Sequence, residues 1–179
     1  MKKLLLCFIA IAGIVTLKAQ SDNASVKKEK NEIRKEMRKA ENNEPSFQSK
    51  QSFYSDFGDV TDVNWKRTAN FDEAVFTKDG KGMKAFYDID AKLVGTVTNK
   101  IFADLPACAQ TYINKKYSGY SKGRVIFYDD NEYNETDMEL YGNVFDDEDN
   151  YFIEMGKDDK NIVLKVNMDG DVTYFAEVH

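Results

Sequence analysis

Histidine and cysteine are almost missing from this chain. Its 179 residues include one His, the last residue His179, and two Cys. A catalytic imidazole would therefore lie at a chain terminus, where order is poorest. This argues against Ser-His-Asp and Cys-His catalysis and against a zinc site, and neither a P-loop nor a G-x-G-x-x-G turn is present. Paired carboxylates of the glycosidase type stay open because acids are abundant, but we expect a non-enzyme without a cofactor.

Long apolar runs are also missing, with one exception at the start of the chain. Lys2 and Lys3 precede an apolar stretch over residues 4–17, which is shorter than the roughly twenty residues that span a bilayer. A small residue, Ala19, follows it. The pattern predicts a signal peptide over residues 1–19, and hence a periplasmic or extracellular protein with no transmembrane segment after signal removal. A retained membrane anchor is the alternative.

Basic residues are outnumbered once that segment is removed. The 25 Lys and Arg fall to 22 against 31 Asp and Glu, which gives a net charge of −9. Such a charge argues against nucleic acid and anionic lipid as partners, and it permits a basic partner or a cation. Cys108 then remains alone, so no internal disulfide can form. We expect it to be a small buried side chain.

Proline is scarce, and each of the two prolines marks a boundary. Residues 20–45 form a charged, partly helical arm that ends at Pro45, because the residue before a proline leaves the helical region. A first helix follows from Ser46 to Gly58, with Phe47, Phe53, Tyr54 and Phe57 expected on one face. Leu105-Pro106 opens a second helix that Gly119 ends, with an apolar face made of Leu105, Ala109, Tyr112, Ile113 and Tyr117.

Four strand-like runs follow the first helix, and five follow the second. Asp79-Gly80 supplies the positive φ angles of a tight hairpin turn, and 87–93 resembles 166–172 in sequence. We therefore predict an α+β domain over 46–179, a tandem duplication of a helix plus antiparallel strands in which the helices pack on one face of the sheet. The two repeats cover about 46–100 and 105–179, and the strands are predicted at 60–65, 74–77, 83–88, 93–98, 124–128, 139–145, 151–155, 162–168 and 172–178.

An acidic insert lengthens the second repeat. Residues 129–149 contain ten Asp and Glu and no Lys or Arg. Hard cations such as Ca²⁺ prefer oxygen ligands of this kind, so Asp146, Asp147 and Asp149 are the candidate ligands of an alternative, calcium-binding function. The ligand order of an EF-hand is absent, and a solvated turn at 146–149 is the simpler interpretation.

Tyrosine is concentrated in the second half of the chain. Tyrosine offers a large contact area with a polar tip and is enriched in protein interfaces. If the sheet face away from the helices is open, aromatic residues there would face a partner. We predict a binding surface that includes Tyr128, Tyr133, Tyr141 and Tyr151, with another protein as the partner. The oligomeric state stays open.

The order of short motifs resembles a known family. Residues 57–65 (FGDVTDVNW), residues 85–93 (AFYDIDAKL) and Leu105-Pro106 before a helix ending in Lys115-Lys116-Tyr117 resemble the PepSY-like proteins of Bacteroidetes. These small secreted proteins are similar in fold to the β-lactamase-inhibitory protein. The resemblance covers about 46–178 and implies a non-catalytic binding or inhibitor-like role outside the cytoplasm. Ala91 departs from it, because the family usually has Gly in that turn.

Overall fold

The computed structural model of the chain describes residue 33 and residues 44–178. The predicted signal peptide 1–19 lies outside these residues, as does the arm 20–45 apart from Ile33, Glu44 and Pro45. No helix in the described part is long and apolar enough to cross a membrane. Residues 44–178 form helices α1 (Phe47–Phe57) and α2 (Ala107–Lys116), a 3-10 turn (Phe102–Asp104), and strands β1 (Asn64–Arg67), β2 (Asp72–Lys78), β3 (Lys81–Tyr87), β4 (Leu93–Lys100), β5 (Ser121–Asp130), β6 (Met138–Leu140), β7 (Asn143–Phe145), β8 (Asn150–Lys157), β9 (Lys160–Asn167) and β10 (Val172–Val178).

Eight of these strands form one antiparallel sheet in the order β1-β2-β3-β4-β5-β8-β9-β10. Helix α1 precedes the four strands of one half of the sheet, β1 to β4, and α2 precedes the four strands of the other half, β5 and β8 to β10. Strand β4 pairs with β5 where the two halves meet. The predicted α+β class with an antiparallel sheet is confirmed. Asp79 and Gly80 have φ angles of 52° and 72°, as a two-residue hairpin turn requires.

Both helices pack on one face of the sheet, called the helix face here. Directly paired residues of antiparallel strands point to the same side. One such row crosses the sheet through Phe76, Met83, Thr98, Phe127, Tyr151 and Val166. Phe76 and Met83 pack with Phe53 of α1 at one end of the row. Tyr151 and Val166 pack with Ile113 of α2 at the other end.

The buried faces of the helices differ from those predicted. In α1, Ser49 and Phe53 are buried and Phe57 is half-buried, because positions four residues apart share a face. Phe47 and Tyr54 lie on another side of the helix and are exposed. In α2, Tyr112 is also exposed, and the helix begins one residue after Pro106.

Cys108 is exposed rather than buried, because it lies on the first turn of α2, beside the β9–β10 turn and outside the apolar face. Its Sγ lies 3.4 Å from the backbone oxygen of Asp169 in that turn.

The insert forms a hairpin where one strand was predicted at 139–145. Tyr141 and Gly142, with φ angles of 51° and 77°, make a turn between β6 and β7. Met138 and Phe145 of this hairpin are buried against Phe86, Tyr128 and Phe152. The hairpin therefore covers the middle of the opposite side of the sheet, called the hairpin face here.

A buried carboxylate attaches α1 to the sheet. Asp72 of β2 is fully buried and pairs with Arg67, whose Nε lies 2.7 Å from Oδ1. Its other oxygen, Oδ2, accepts hydrogen bonds from Ser49 Oγ (2.7 Å) and from the backbone N–H of Ser46 (3.0 Å), the N-cap of α1. Three groups thus satisfy one carboxylate and fix the start of the helix.

Candidate functional site

A cleft opens on the helix face beside α1, over β3, β4 and β5 in the middle of the sheet. Thr98 and Phe127, in the middle of the row described above, belong to neither helix cluster. The cleft has a volume of about 630 Å³. We call it the interhelical cleft. Its lining includes Asp56 and Phe57 of α1, Thr96 of β4, Asp129 of β5, and Asn131 and Tyr133 of the insert.

The sheet next to the cleft is aromatic. The rings of Phe127 and Tyr151 lie side by side on β5 and β8, with centroids 4.8 Å apart. Both residues are half-buried, so part of each ring can still contact another molecule. The Nζ of Lys100 lies 5.7 Å from the centroid of the Phe127 ring, a cation–π distance.

Side-chain hydrogen bonds hold the walls of the cleft. On the α1 side, the Tyr87 hydroxyl donates to Asp56 Oδ2 at 2.9 Å. On the insert side, Asn131 and Asn134 donate to the backbone oxygen of Leu93 at 2.7 and 3.0 Å. Asn134 also donates to the buried carboxylate of Asp88 at 3.1 Å. The start of the insert is thereby attached to the β3–β4 turn of the first repeat.

Tyr133 lies on this attached segment and is the most exposed of the large hydrophobic side chains in the described residues. It is 95% exposed, although its neighbours Asn131 and Asn134 are anchored. A rigid segment that holds an aromatic ring in solvent is typical of contact surfaces, because little conformational entropy is lost when the ring is buried by a partner.

The cleft carries an unfavourable negative charge at Asp129. Partial desolvation of this exposed side chain, followed by repulsion from Asp149 and Asp130, raises its pKa above the ordinary value, and the opposing effect of Lys100 is smaller. The pKa of Asp130 is also raised, chiefly by burial. Asp149 is held close to both because its Oδ1 accepts from the backbone N–H of Asp130 at 2.8 Å. A cation entering the cleft would relieve this repulsion.

The four tyrosines predicted to form one surface lie on two sides of the sheet. Tyr151 lies on the helix face and Tyr133 at the rim of the cleft. Tyr141 is half-buried on the hairpin face, where its hydroxyl donates to Glu154 at 3.0 Å and burial raises its pKa.

The prediction that Tyr128 belongs to a binding surface is wrong, because this residue is fully buried on the hairpin face. Its hydroxyl donates to Asp130 at 2.9 Å, and burial raises its pKa. A Cβ at Gly95 would lie 2.5 Å from the Tyr128 hydroxyl, so the ring fills the space that this glycine leaves. Tyr128 therefore cannot contact a partner.

The candidate calcium ligands Asp146, Asp147 and Asp149 do not form a metal site. The described part of the chain contains no group of three or more Asp, Glu, His or Cys that could hold a metal ion. Asp146 and Asp147 are exposed, and Asp149 accepts the hydrogen bond from Asp130. The arrangement gives the calcium-binding alternative no support.

Solved structures with a similar fold are known. The chain is similar to a BLIP-like protein from Bacteroides fragilis NCTC 9343, with 16% identity over 75% of this chain and 86% of that chain and a TM-score of 0.57. The chain has a BLIP-like fold. A DUF2874 family protein from Bacteroides uniformis ATCC 8492 matches with 14% identity over 75% and 90% of the two chains and a TM-score of 0.62.

A third similar structure also has this fold. It is a Bacteroides eggerthii DSM 20697 protein whose proposed location is the periplasm, with 13% identity over 74% of this chain and 88% of that chain and a TM-score of 0.61. No family model and no curated protein matches the chain. Identities of this size show the fold and leave the partner to be argued from the site itself.

Sequence analysis missed Asp56, Thr96 and Asp129, which line the cleft, and Phe127, which lies next to it on β5. Phe127 and Asp129 flank Tyr128 on β5, and alternate residues of a strand face opposite sides. The alternation was available from the sequence, but both sides of β5 contain aromatic residues. The alternation therefore could not predict which side of β5 the insert would cover.

Proposed function

We propose that this chain is a non-catalytic protein-binding module that works in the periplasm or outside the cell, and that it binds its partner through the interhelical cleft. The proposal includes the predicted signal peptide 1–19 and the arm 20–45 ahead of the binding domain. An inhibitor-like role follows if the bound partner is an enzyme. We propose no cofactor for this function.

The observation that carries the proposal is the pairing of the half-buried Phe127 and Tyr151 rings with the exposed, anchored Tyr133 beside one open cleft. Aromatic side chains in partly desolvated positions supply much of the binding energy at protein interfaces. The hairpin face offers less, because its aromatic residues are already packed under the insert and its cavity has a volume of only about 180 Å³.

Two further observations support a non-catalytic, protein-binding function. The scarcity of His and Cys argues against the common catalytic constellations. The similar structures are described as BLIP-like, DUF2874 family and periplasmic proteins rather than as enzymes. Fold alone does not determine function, so the cleft residues carry the argument and the comparisons add to it.

Site-specific photocrosslinking in cells of the source organism tests the proposal. A photoreactive phenylalanine analogue replaces Tyr133 at the cleft in one variant. In the matched control it replaces Val144, which is 60% exposed on the hairpin. We expect one protein to be crosslinked from position 133 and not from position 144, and to form a stoichiometric complex with the purified chain.

The proposal fails if position 133 gives no crosslinked protein while the chain is folded and exported. It also fails if position 144 captures the same protein more strongly, because the partner would then bind the hairpin face.

A further inference from the structure

The charge of the interhelical cleft indicates what kind of group it receives. Asp56 lies on the α1 wall and Asp129 on the floor, so two carboxylates line the same cleft from different elements. Asp130, Asp149 and Glu132 add further negative charge near the floor. Two cations oppose this negative charge, namely Lys92, which lines the cleft, and Lys100.

The ring faces next to these carboxylates already contact cations of the chain itself. Lys100 Nζ lies 5.7 Å from the centroid of the Phe127 ring, and Lys78 Nζ lies 5.5 Å from that of Phe57. Lys78 also donates to the backbone oxygen of Phe57 at 2.9 Å. These contacts show that ammonium groups and the rings of this surface are compatible at cation–π distances.

Carboxylates and aromatic faces together favour a guanidinium. Its planar fork donates to a carboxylate in two parallel hydrogen bonds, and the same plane stacks on an aromatic ring. A Lys ammonium meets the charge of the cleft but not this geometry. An acidic segment would add to the repulsion around Asp129 and is therefore disfavoured.

Building on the proposed protein-binding function, we propose that the interhelical cleft receives an arginine side chain from a basic, extended segment of the partner protein. Asp129 and Asp56 pair with the guanidinium, and Tyr133 and Phe57, the two aromatic residues that line the cleft, flank the segment. Charge complementarity then determines the class of partner, since the −9 net charge predicted for the exported chain also favours a basic protein.

Fluorescence anisotropy with a labelled Gly-Arg-Gly-Arg-Gly peptide tests this, using the chain from residue 20 to 179. The Lys and Glu versions of the peptide are the comparison probes. We expect the Arg peptide to bind at least threefold more tightly than the Lys peptide and the Glu peptide not to bind. Asp129→Asn and Asp56→Asn should each weaken the Arg peptide at least fivefold, and Asn at position 56 can still accept from Tyr87.

Asp159→Asn is the matched control, because it removes one charge from an exposed residue in the β8–β9 turn. Equal weakening by Asp159→Asn would mean that net charge alone attracts the peptide, and it would overturn the proposal. Absence of binding by the Arg peptide would overturn it as well. If position 133 still crosslinks a partner in that case, the protein-binding function stands and only the arginine specificity is wrong.

The basic residues of the arm are the competing occupant. Residues 27–39 contain seven Lys and Arg, and four of them, Arg34, Lys35, Arg38 and Lys39, are nearest in sequence to the start of α1, where the arm joins the domain. Replacing these four by Gln in the same chain separates the two cases. If the Arg peptide binds only after this replacement, the arm of the chain occupies the cleft and the external partner is excluded.

Discussion

The two faces of the sheet contain similar aromatic residues and use them differently. On the hairpin face, Tyr128, Phe145 and Phe152 are buried by the insert. On the helix face, α1 and α2 cover the two ends of a row of side chains and leave Phe127 in the middle half-buried. What covers a side chain, rather than its type, decides whether it supports the fold or remains available to a partner.

Adjacent residues of one strand show how sharp this division is. Phe127, Tyr128 and Asp129 follow one another on β5 and alternate between the faces. Tyr128 is fully buried, whereas Asp129 is exposed and lines the cleft. Substitutions on the two faces should therefore differ in what they damage, with stability lost on one side and binding lost on the other.

The largest difference is expected between Phe145→Ala and Tyr133→Ala. Phe145 is buried and contacts the rings of Tyr128 and Phe152, so its removal leaves a cavity and should lower the free energy of unfolding by about 4 kcal/mol. Tyr133 is 95% exposed, so its removal should change stability by less than about 0.5 kcal/mol. Urea unfolding of both variants measures the difference.

Similar losses for the two variants would contradict the assignment of the hairpin to the core. Phe145→Leu is the control for a nonspecific effect of substitution at this position, and it should recover much of the stability because it refills the cavity.

The next largest effect is expected from Asp72→Asn, which tests how the α1 wall of the cleft is held. The substitution leaves the Arg67 guanidinium, only 7% exposed, without its carboxylate. Breaking a buried ion pair from one side costs about 3 kcal/mol. Glu148→Gln provides the control, because its pair with Lys165 at 3.2 Å is exposed and is worth less than about 1 kcal/mol. Equal losses in thermal melts of the two variants would contradict the account.

A smaller effect is expected in two equivalent turns of the repeats. In each turn an Oδ1 atom accepts the backbone N–H of the residue four positions later, Lys92 for Asp88 and Asp171 for Asn167, and Asp88 also accepts from Asp90. The fourth residue has positive φ in both, 59° at Ala91 and 89° at Gly170. A Cβ at Gly170 would lie 2.2 Å from Cys108 Sγ, so the second turn requires glycine.

Gly170→Ala should therefore cost about 2 kcal/mol. Ala91→Gly should change stability by less than about 1 kcal/mol, because relief of the strained φ is offset by the freedom of glycine in the unfolded chain. Differential scanning calorimetry distinguishes the two. A larger change at Ala91 than at Gly170 would show that packing against α2 does not restrict the second turn.

Local features of this fold were predictable from the sequence, because short-range chemistry specifies them. Gly58 ends α1, and Asp79-Gly80 makes the β2–β3 turn. The β6–β7 hairpin was predicted as one strand because its turn begins with Tyr141, a residue that seldom adopts positive φ. Gly142 is the one turn signal in this run, since a glycine inside a strand pattern indicates a turn or bulge.

The site required information that lies far apart in the chain. Tyr128 is buried because residues 138–145 fold over it, and Asp72 is buried because Arg67 and Ser49 reach it from other elements. The acidic composition of the insert was ambiguous in a similar way. It left calcium binding open as an alternative to a solvated turn, and in the fold Asp149 accepts a hydrogen bond from Asp130 while no group of three or more acids in the described residues could hold a metal ion.

The smallest expected effect concerns pH. The pKa of Asp129 is raised in the folded chain by partial desolvation and by repulsion from Asp149, so the folded state holds this proton more tightly than the unfolded state. Charged Asp129 therefore lowers stability, and the loss develops as pH rises above the ordinary Asp pKa of about 4. Asp129→Asn should raise the melting temperature slightly at pH 7, and the gain should disappear near pH 3. An equal gain at both pH values would contradict this cause.

The most direct test of the cleft as the binding surface is the affinity of the crosslinked partner for two double variants, measured by isothermal titration calorimetry. Tyr133→Ala with Tyr151→Ala alters the helix face, and Val75→Ala with Val144→Ala alters exposed residues of the hairpin face. The account predicts more than a tenfold loss of affinity for the first variant and less than a twofold loss for the second, with both folded. The reverse order would show that the partner binds the hairpin face.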